Sequence, residues 1–466
     1  MPEDSALAKR VLSWITLVRR PLNISELLYA LAVEPGAPTV DPDNMLGVED
    51  VVSVCSGLIN VEEESGIVRL VHYTAQHFLE TILETWNTKA QVDIATTCLA
   101  VLSLDDPPPA RVDWQRKRWI PRYNDFFAYA AQHCGDHARS VQAQVYEMAC
   151  TCVLDDEFLL RAAQGLSKGW STTTRLHMFS WVFEPQKEDL ADSTSTALHV
   201  LAHYGLHEIM RVLLTRPNKS LHRKINMMDR WSRTPLLLAV ASGYTETTKL
   251  LIEHGAIVAM QESQEGQGDR SPIHVASRRG HVTIVELLLD MGVDVDSKSK
   301  SGKTALLVAS RNAQHHVVEL LLKRGANVDL SEPLYIATRK GDVEVVSLLL
   351  HAGANVNIES GGMCPLVLAA RHSHAQTVTK LLHAGAEIDS YSRHGTALAM
   401  ASGRGDGHIV RLLLDAGADC NAGPNSKTPL ERAIQGGHDR IVELLRARGA
   451  TTRDRLVEAV SQESQD

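Results

Sequence analysis

Several groupings in this 466-residue chain bring together residue types that could do chemistry. Gly302-Lys303-Thr304 matches the end of a phosphate-binding loop, whose lysine meets phosphate and whose hydroxyl holds magnesium. That loop also needs a glycine five residues before Gly302, and Ser297 stands there. Gly165-Leu166-Ser167-Lys168-Gly169 fits the nucleophile elbow, which throws a serine off the end of a buried strand. The residues before it, EFLLRAAQ, have helical spacing, so a helix end and loop are expected. His199, His203 and His207 recur every four residues, as do His133 and His137, a spacing that can present metal ligands on one helix face. Gly205 and Gly135 interrupt those faces, and Cys150-Thr151-Cys152 lacks a second pair to complete a tetrahedral site. We therefore expect no catalytic residue, no cofactor site and no metal site.

The elements that would position such residues are mostly helices. Hydrophobic residues make up 44% of the chain and aromatics only 5%, so the core is built from Leu, Ala and Val, a composition that favours packed helices over a sandwich or barrel. The net charge of −9 repels phosphate backbones and argues against nucleic acid as a partner. The N-terminus, MPEDSALAKR, has no apolar run of signal-peptide length, and no stretch approaches the ~18 apolar residues of a membrane helix. Seven cysteines without a framework spacing fit reduced thiols in a cytoplasmic setting, and a nuclear one is compatible.

From Thr196 onward the sequence repeats. A four-residue anchor begins at Thr196, Thr234, Ser271, Thr304, Glu332, Cys364, Thr396 and Thr428, at spacings of 38, 37, 33, 28, 32, 32 and 32. Seventeen residues after each anchor stands a leucine, from Leu213 and Leu251 to Leu445; five residues after it, alanine in seven units; nine after, glycine in six; twenty-one after, glycine in seven. Thr-Pro starts a helix, with Thr as cap and Pro in the first turn. The first glycine ends that short helix in a left-handed turn. Segments such as HVTIVELLLDMG have helical apolar spacing and form a second, longer helix. A lone helix pair cannot bury its apolar face, so the units must stack. The TPLH-x-A, GH and IVELLL-x-x-GA signatures resemble the ankyrin repeat over about residues 194–453, in about eight units. The first is degenerate, with Pro217 at the second glycine position; the 37-residue unit carries an extra loop, MQESQEGQGDR; the 28-residue unit lacks most of its finger.

The N-terminal third reads differently. Leu7, Val11, Trp14, Ile15 and Val18 form one helical stripe that Pro21 ends. Asn23 caps a second helix, with Glu26 as reciprocal partner. A third helix, VEDVVSVCSGL, precedes two strand-like runs around Ser65-Gly66, and a last helix begins near Thr74. Three helices and a hairpin describe a winged helix. The wording ALAKRVLSWITLVRRPLNISELLYALAVEPG and VEDVVSVCSGLINVEEESGIVRLVHYTAQHFLE resembles the winged-helix segment that follows the NACHT module in fungal NOD-like receptor proteins. The resemblance implies domains at 5–83 (winged helix), 84–190 (helical bridge, with a Pro-rich linker near 106–110), 194–453 (repeats) and a polar tail at 454–466. It also implies that the nucleotide-hydrolysing module would precede this segment, and that His72 would report nucleotide state to such a module supplied in trans. The same winged-helix type takes its name from an inositol deacylase, whose hydrolase activity this segment would not carry.

The expected fold is thus all-α dominated: a winged helix with a small hairpin, a helical bridge, then an ankyrin α-solenoid. The expected function is non-catalytic binding of protein partners through the concave face and finger loops, as the sensing half of a NOD-like receptor-type protein. A free-standing ankyrin scaffold is the alternative. Arg230 and Trp231, Lys298 and Lys300, and Arg393 and His394 stand at finger tips, where arginine beside an aromatic is typical of interface hot spots. The third winged-helix segment carries two acids and no base, which argues against DNA binding. The basic run Arg111, Arg116, Lys117, Arg118 and Arg122, with Trp114 and Trp119, reads as a solvated linker face.

Overall fold

In the first helix, α1 (Pro2–Leu17), Val11, Leu12 and Trp14 turn into a core, while Leu7 and Ile15 are half-buried at its edge. The computed structural model describes residues 2–104, 124–155, 196–215, 219–229, 232–258, 271–392, 394–423 and 428–451. The chain divides into two units, Met1–Ile257 and Val258–Asp466.

In the first unit Asn23 opens α2 (Ile24–Ala32) with both bonds of a capping box: Glu26 N donates to Asn23 Oδ1, and Asn23 N to Glu26 Oε2, each at 2.9 Å. Arg20 then pairs with Glu26 at 2.6 Å. After α3 (Val48–Val54), strand β1 (Ile59–Val61) pairs antiparallel with β2 (Val68–Leu70), with Ile59 opposite Leu70 and Val61 opposite Val68. Asn23 bridges Ile67 and adds one rung. Helix α4 (Tyr73–Trp86) closes the expected winged helix.

Three further helices follow: α5 (Ala90–Ser103), α6 (Asn124–Ala138) and α7 (Gln142–Leu154). They are not a detached bridge. Phe126 of α6 meets Trp14 edge-on at 5.5 Å and Tyr29 at 6.1 Å, so bridge and winged helix share one core. Gly135, read from sequence as a break between His133 and His137, lies inside the continuous helix α6. It is glycine because the Tyr204 ring lies where a Cβ would be, only 2.0 Å away.

Each repeat has an inner and an outer helix. In the first unit these are Ala197–Tyr204 with His207–Thr215, and Pro235–Ser242 with Thr245–Glu253. The long connection between the two repeats contains a further short helix, Lys219–Arg223. In the second unit the inner helices are Pro272–Arg279, Ala305–Arg311, Pro333–Lys340, Pro365–Arg371, Ala397–Arg404 and Pro429–Gln435. Each packs on the next in order.

The repeat positions have the physical roles their residue types demand. Thr234, Thr304, Thr396 and Thr428 accept, at Oγ1, the N–H three residues on, at 3.2–3.3 Å. All eight leucines at the seventeenth position, Leu213 to Leu445, are 0–2% exposed, and the seven alanines at the fifth are all 0%. The twenty-first position is left-handed wherever it is glycine, from Gly255 (φ +93) to Gly449 (φ +90). The ninth position is left-handed in every repeat, including the two that lack glycine: Ala313 has φ +54 and Ser373 φ +61. The 28-residue repeat replaces its finger with two left-handed residues, Ser331 and Glu332, and Ser331 Oγ donates to Gly302 O at 2.8 Å.

Candidate functional site

The surface that repeats build is its row of fingers, and a side-chain ladder holds that row in register. Twenty-five residues after five of the eight anchors stands Asp or Asn, and its side-chain oxygen accepts a backbone N–H further along the stack. Asp296 accepts from Asn327 at 2.9 Å, Asp329 from Asn355 at 2.9 Å, Asn357 from Glu387 at 2.9 Å, Asp389 from Asp419 at 3.0 Å, and Asn421 from Thr451 at 3.0 Å. In the first unit Asn226 accepts the Ile257 N–H at 2.9 Å in the same way. Sequence reasoning did not single out this ladder, though its signal, Asp or Asn at a fixed offset, was present.

Histidines tie repeats together. His199 Nδ1 accepts the Thr196 N–H at 3.1 Å, and its Nε2 donates to Arg233 O at 3.0 Å, just before the next anchor. His274 makes the equivalent bond to Lys303 O at 2.8 Å. That bond, with Thr304 as helix cap, gives the Gly302-Lys303-Thr304 triplet its structural work. In α6, His133 and Arg139 hold the Asp136 carboxyl down to about 2. His137 is fully buried. Its Nδ1 accepts from Gln91 at 3.1 Å and its Nε2 donates to Tyr129 at 2.8 Å, which fixes the neutral ring, and burial pushes its pKa down to about 4. Cys55 and Cys134 are buried, and burial raises their thiols to about 11 and about 12. Gly165–Gly169 and the basic run from Arg111 to Arg122 lie outside the described residues.

Of the expected contact residues, Lys298 and Lys300 are exposed on a finger whose turn is closed by Gly302 N donating to Ser299 O at 2.8 Å. His394 is half-buried: it lies between the short strands β3 (Tyr391–Ser392) and β4 (Gly395–Thr396), and its carbonyl accepts from Arg432. Arg230, Trp231 and Arg393 lie outside the described residues.

His72 is exposed between β2 and α4. Its Nδ1 accepts from the Thr74 hydroxyl at 2.7 Å, and its ring stacks on Tyr73 at 4.9 Å. It lines a cleft of about 360 Å³ with Arg19, Arg20, Arg69, Tyr73 and Gln76. Arg20 is spent on Glu26, whereas Arg19 and Arg69 are exposed.

Comparison with known proteins places these features. The family description "Ankyrin repeats (3 copies)" matches residues 159–262, 257–332, 330–392 and 389–455. Its first match begins inside the segment expected to be bridge. "GPI inositol-deacylase, winged helix domain" matches residues 3–91. The Ankyrin repeat and KH domain-containing protein mask of Drosophila melanogaster is 38% identical over 112 residues, 24% of this chain and 3% of that protein. Human Ankyrin repeat and SOCS box protein 11 is 29% identical over 120 residues, 26% of this chain and 34% of that protein. The chain thus spans 34% or less of the length of these relatives. The crystal structure of the human ASB11 ankyrin repeat domain is similar at a TM-score of 0.41 and 28% identity, over 46% of this chain and 98% of that one. Among the described residues no helix is long and apolar enough to cross a membrane. With the repeat traced position by position and its family matched over more than half of the sequence, the chain belongs to the ankyrin-repeat family, and it carries a winged-helix domain of the GPI inositol-deacylase type ahead of the repeats.

Proposed function

We propose that the chain is a non-catalytic module that binds protein partners through its finger loops and inner-helix face. The observation that carries this reading is the division of labour within each repeat. The conserved-offset leucines and alanines are wholly buried and the ladder oxygens are satisfied, while finger side chains such as Lys298 and Lys300 stand exposed. Loops on one face of a solenoid are where such proteins make contacts. The test is a pull-down with the full chain. Arg230→Ala with Trp231→Ala should weaken capture of at least one partner while leaving the helical circular-dichroism signal intact. Retention of every partner by that variant and by Lys298→Ala/Lys300→Ala would remove the fingers from the account.

We further propose that the module is the sensing half of a NOD-like receptor-type protein. The order winged helix, helices, repeats supports this reading. So does the cleft where His72, Arg19 and Arg69 gather, which suits the phosphates of a nucleotide held by a separate module. An in-frame phosphate-binding loop encoded upstream would favour it. The competing reading, a free-standing ankyrin scaffold, gains if His72→Ala and Arg69→Ala leave every partner interaction and its nucleotide dependence unchanged.

A further inference from the structure

The inner helices of the second unit end in cations. Arg278 and Arg279, Arg311, Arg339 and Lys340, Arg371, and Arg404 all lie seven or eight residues past their anchors, in the last turn of five successive helices. Those five helices carry seven basic residues and no acid, in a chain of net charge −9. Each helix packs on the next, so the cations form one row. Side chains that reach back along the stack confirm how close the rungs are: Gln314 donates to Arg278 O at 3.4 Å and His374 to Arg339 O at 3.3 Å. His372, beside Arg371, is held below the usual imidazole range, first by partial burial and then by His374, Arg371, Arg404 and Arg339. One imidazole thus feels cations from three consecutive repeats.

The helix dipole favours cations at any helix C-terminus. It is not the whole account of this row, because it acts equally on the neighbouring outer helices, and two of them, Val282–Asp290 and Gly407–Asp415, end on aspartate. Nor are five of its seven cations paired. Three basic residues near the ends of outer helices are paired: Arg324 with Glu286 and Asp290, Lys323 with Glu319, Arg448 with Asp415. Among the described residues, Arg278, Arg311, Arg339, Lys340 and Arg404 make no ion pair, and all five are exposed. The acids at the finger bases, Asp296, Asp329 and Asp389, are held by the backbone N–H groups of the ladder.

We propose that this row is the docking track for an extended acidic segment of a partner protein. The spacing sets its register. Packed helices lie about 8–10 Å apart. An extended or polyproline chain advances about 3.1–3.3 Å per residue, so every third side chain meets a new repeat. The segment is therefore about 13 residues long, with Asp or Glu at every third position. A polynucleotide fits less well, since the chain's net negative charge repels a dense phosphate backbone at long range.

This inference rests on the protein-binding reading above and adds the chemistry of the partner. The test uses the full chain and fluorescence anisotropy with a 13-residue peptide of repeating Glu-Pro-Pro. The peptide should bind, its Gln-Pro-Pro counterpart should bind at least about tenfold more weakly, and salt should weaken binding steeply. Arg311→Gln/Arg339→Gln/Arg404→Gln should lower affinity about tenfold, with the circular-dichroism spectrum unchanged because all three side chains are exposed. Equal binding of both peptides, no effect of the triple variant, or preferential binding of a single-stranded oligonucleotide would each overturn it. Failure here with pull-down partners intact would remove the acidic track alone; a wild-type chain that captures no protein at all would remove the underlying reading.

Discussion

Replacing Gly405 by alanine tests how one repeat is coupled to the next. Gly405 ends its inner helix at φ +81, a conformation that costs an L-residue about 1–2 kcal/mol. Part of this is offset, about 0.4–1 kcal/mol, because alanine also stiffens the unfolded chain. A second cost comes from the next repeat: a Cβ would lie 2.6 Å from the His438 ring, which must swing away. His438 then loses its 3.3 Å bond to Gly403 O, a loss of about 0.5–1.5 kcal/mol. The net expectation is a destabilisation of about 2 kcal/mol, confined to the last repeats. Ala313 supplies the reciprocal experiment, because it already holds φ +54 without being glycine. Ala313→Gly should relieve about 1 kcal/mol of backbone strain, less the entropy regained by the unfolded chain, leaving a gain of about 0.5 kcal/mol. Urea unfolding of the full chain, with hydrogen exchange read on peptides from residues 397–451 and 305–323, measures both. A Gly405→Ala protein within about 0.5 kcal/mol of wild type, or a destabilised Ala313→Gly protein, would show that the ninth-position glycine is not what lets successive repeats approach.

Three further outcomes are expected. Leu349→Ala empties a fully buried layer and should destabilise by about 2–5 kcal/mol, whereas Ile434→Ala, 47% exposed, should stay within about 0.5 kcal/mol; denaturation midpoints separate the two. Asp389→Ala removes the acceptor of the Asp419 N–H and should cost about 0.5–1.5 kcal/mol, visible as faster exchange of that amide, and unchanged exchange would deny the ladder any energetic role. His137 sits neutral with its pKa near 4, against about 6.5 when unfolded, so the unfolded state binds the extra proton between those values; stability is present above about pH 6.5 and falls toward pH 4, by about 3 kcal/mol from this group, and His137→Gln should flatten that slope in urea melts taken across the window.

Periodicity made the repeats legible, because an anchor, a buried leucine and two left-handed turns recur at fixed offsets, and each is dictated by local chemistry. The Asn23–Glu26 capping box was legible for the same reason: both partners lie within one turn. What escaped had no local signal. Helix α5 is buried on most faces, from Ala90 through Leu102, so its sequence AQVDIATTCLAVLS shows no stripe to read. Gly135 looked like a break because its reason, the Tyr204 ring, lies 69 residues away in sequence and only on the folded surface of the first repeat. The cationic row was written in the sequence as Arg or Lys at a fixed offset, but a basic residue at one helix end has an ordinary local explanation. Only the packing of successive inner helices turns separate ends into one surface.

The Gly135–Tyr204 contact also explains how the N-terminal unit supports its repeats. A solenoid's first helix pair has an apolar face that no earlier repeat covers, and it needs a cap. Here α6 and α7 lie directly on the pair Ala197–Tyr204 and His207–Thr215. Tyr204 fills the gap that Gly135 leaves, and its hydroxyl donates to Ala131 O. Arg139 completes the join: its Nε donates to Tyr204 O at 3.0 Å, while its guanidinium lies 4.5 Å over the Tyr244 ring of the next repeat. That Tyr244 ring in turn covers Gly205, the same ninth-position glycine that accommodates Gln314, His374 and His438 further along the chain. One device, an aromatic or amide side chain laid over a glycine, therefore joins helix α6 to the first repeat and repeat to repeat. Because α6 also packs Phe126 between Trp14 and Tyr29, the winged helix, bridge and first two repeats are bound into one core. A partner that pulls on the repeats of this unit acts on the winged helix through packed side chains rather than through a flexible tether.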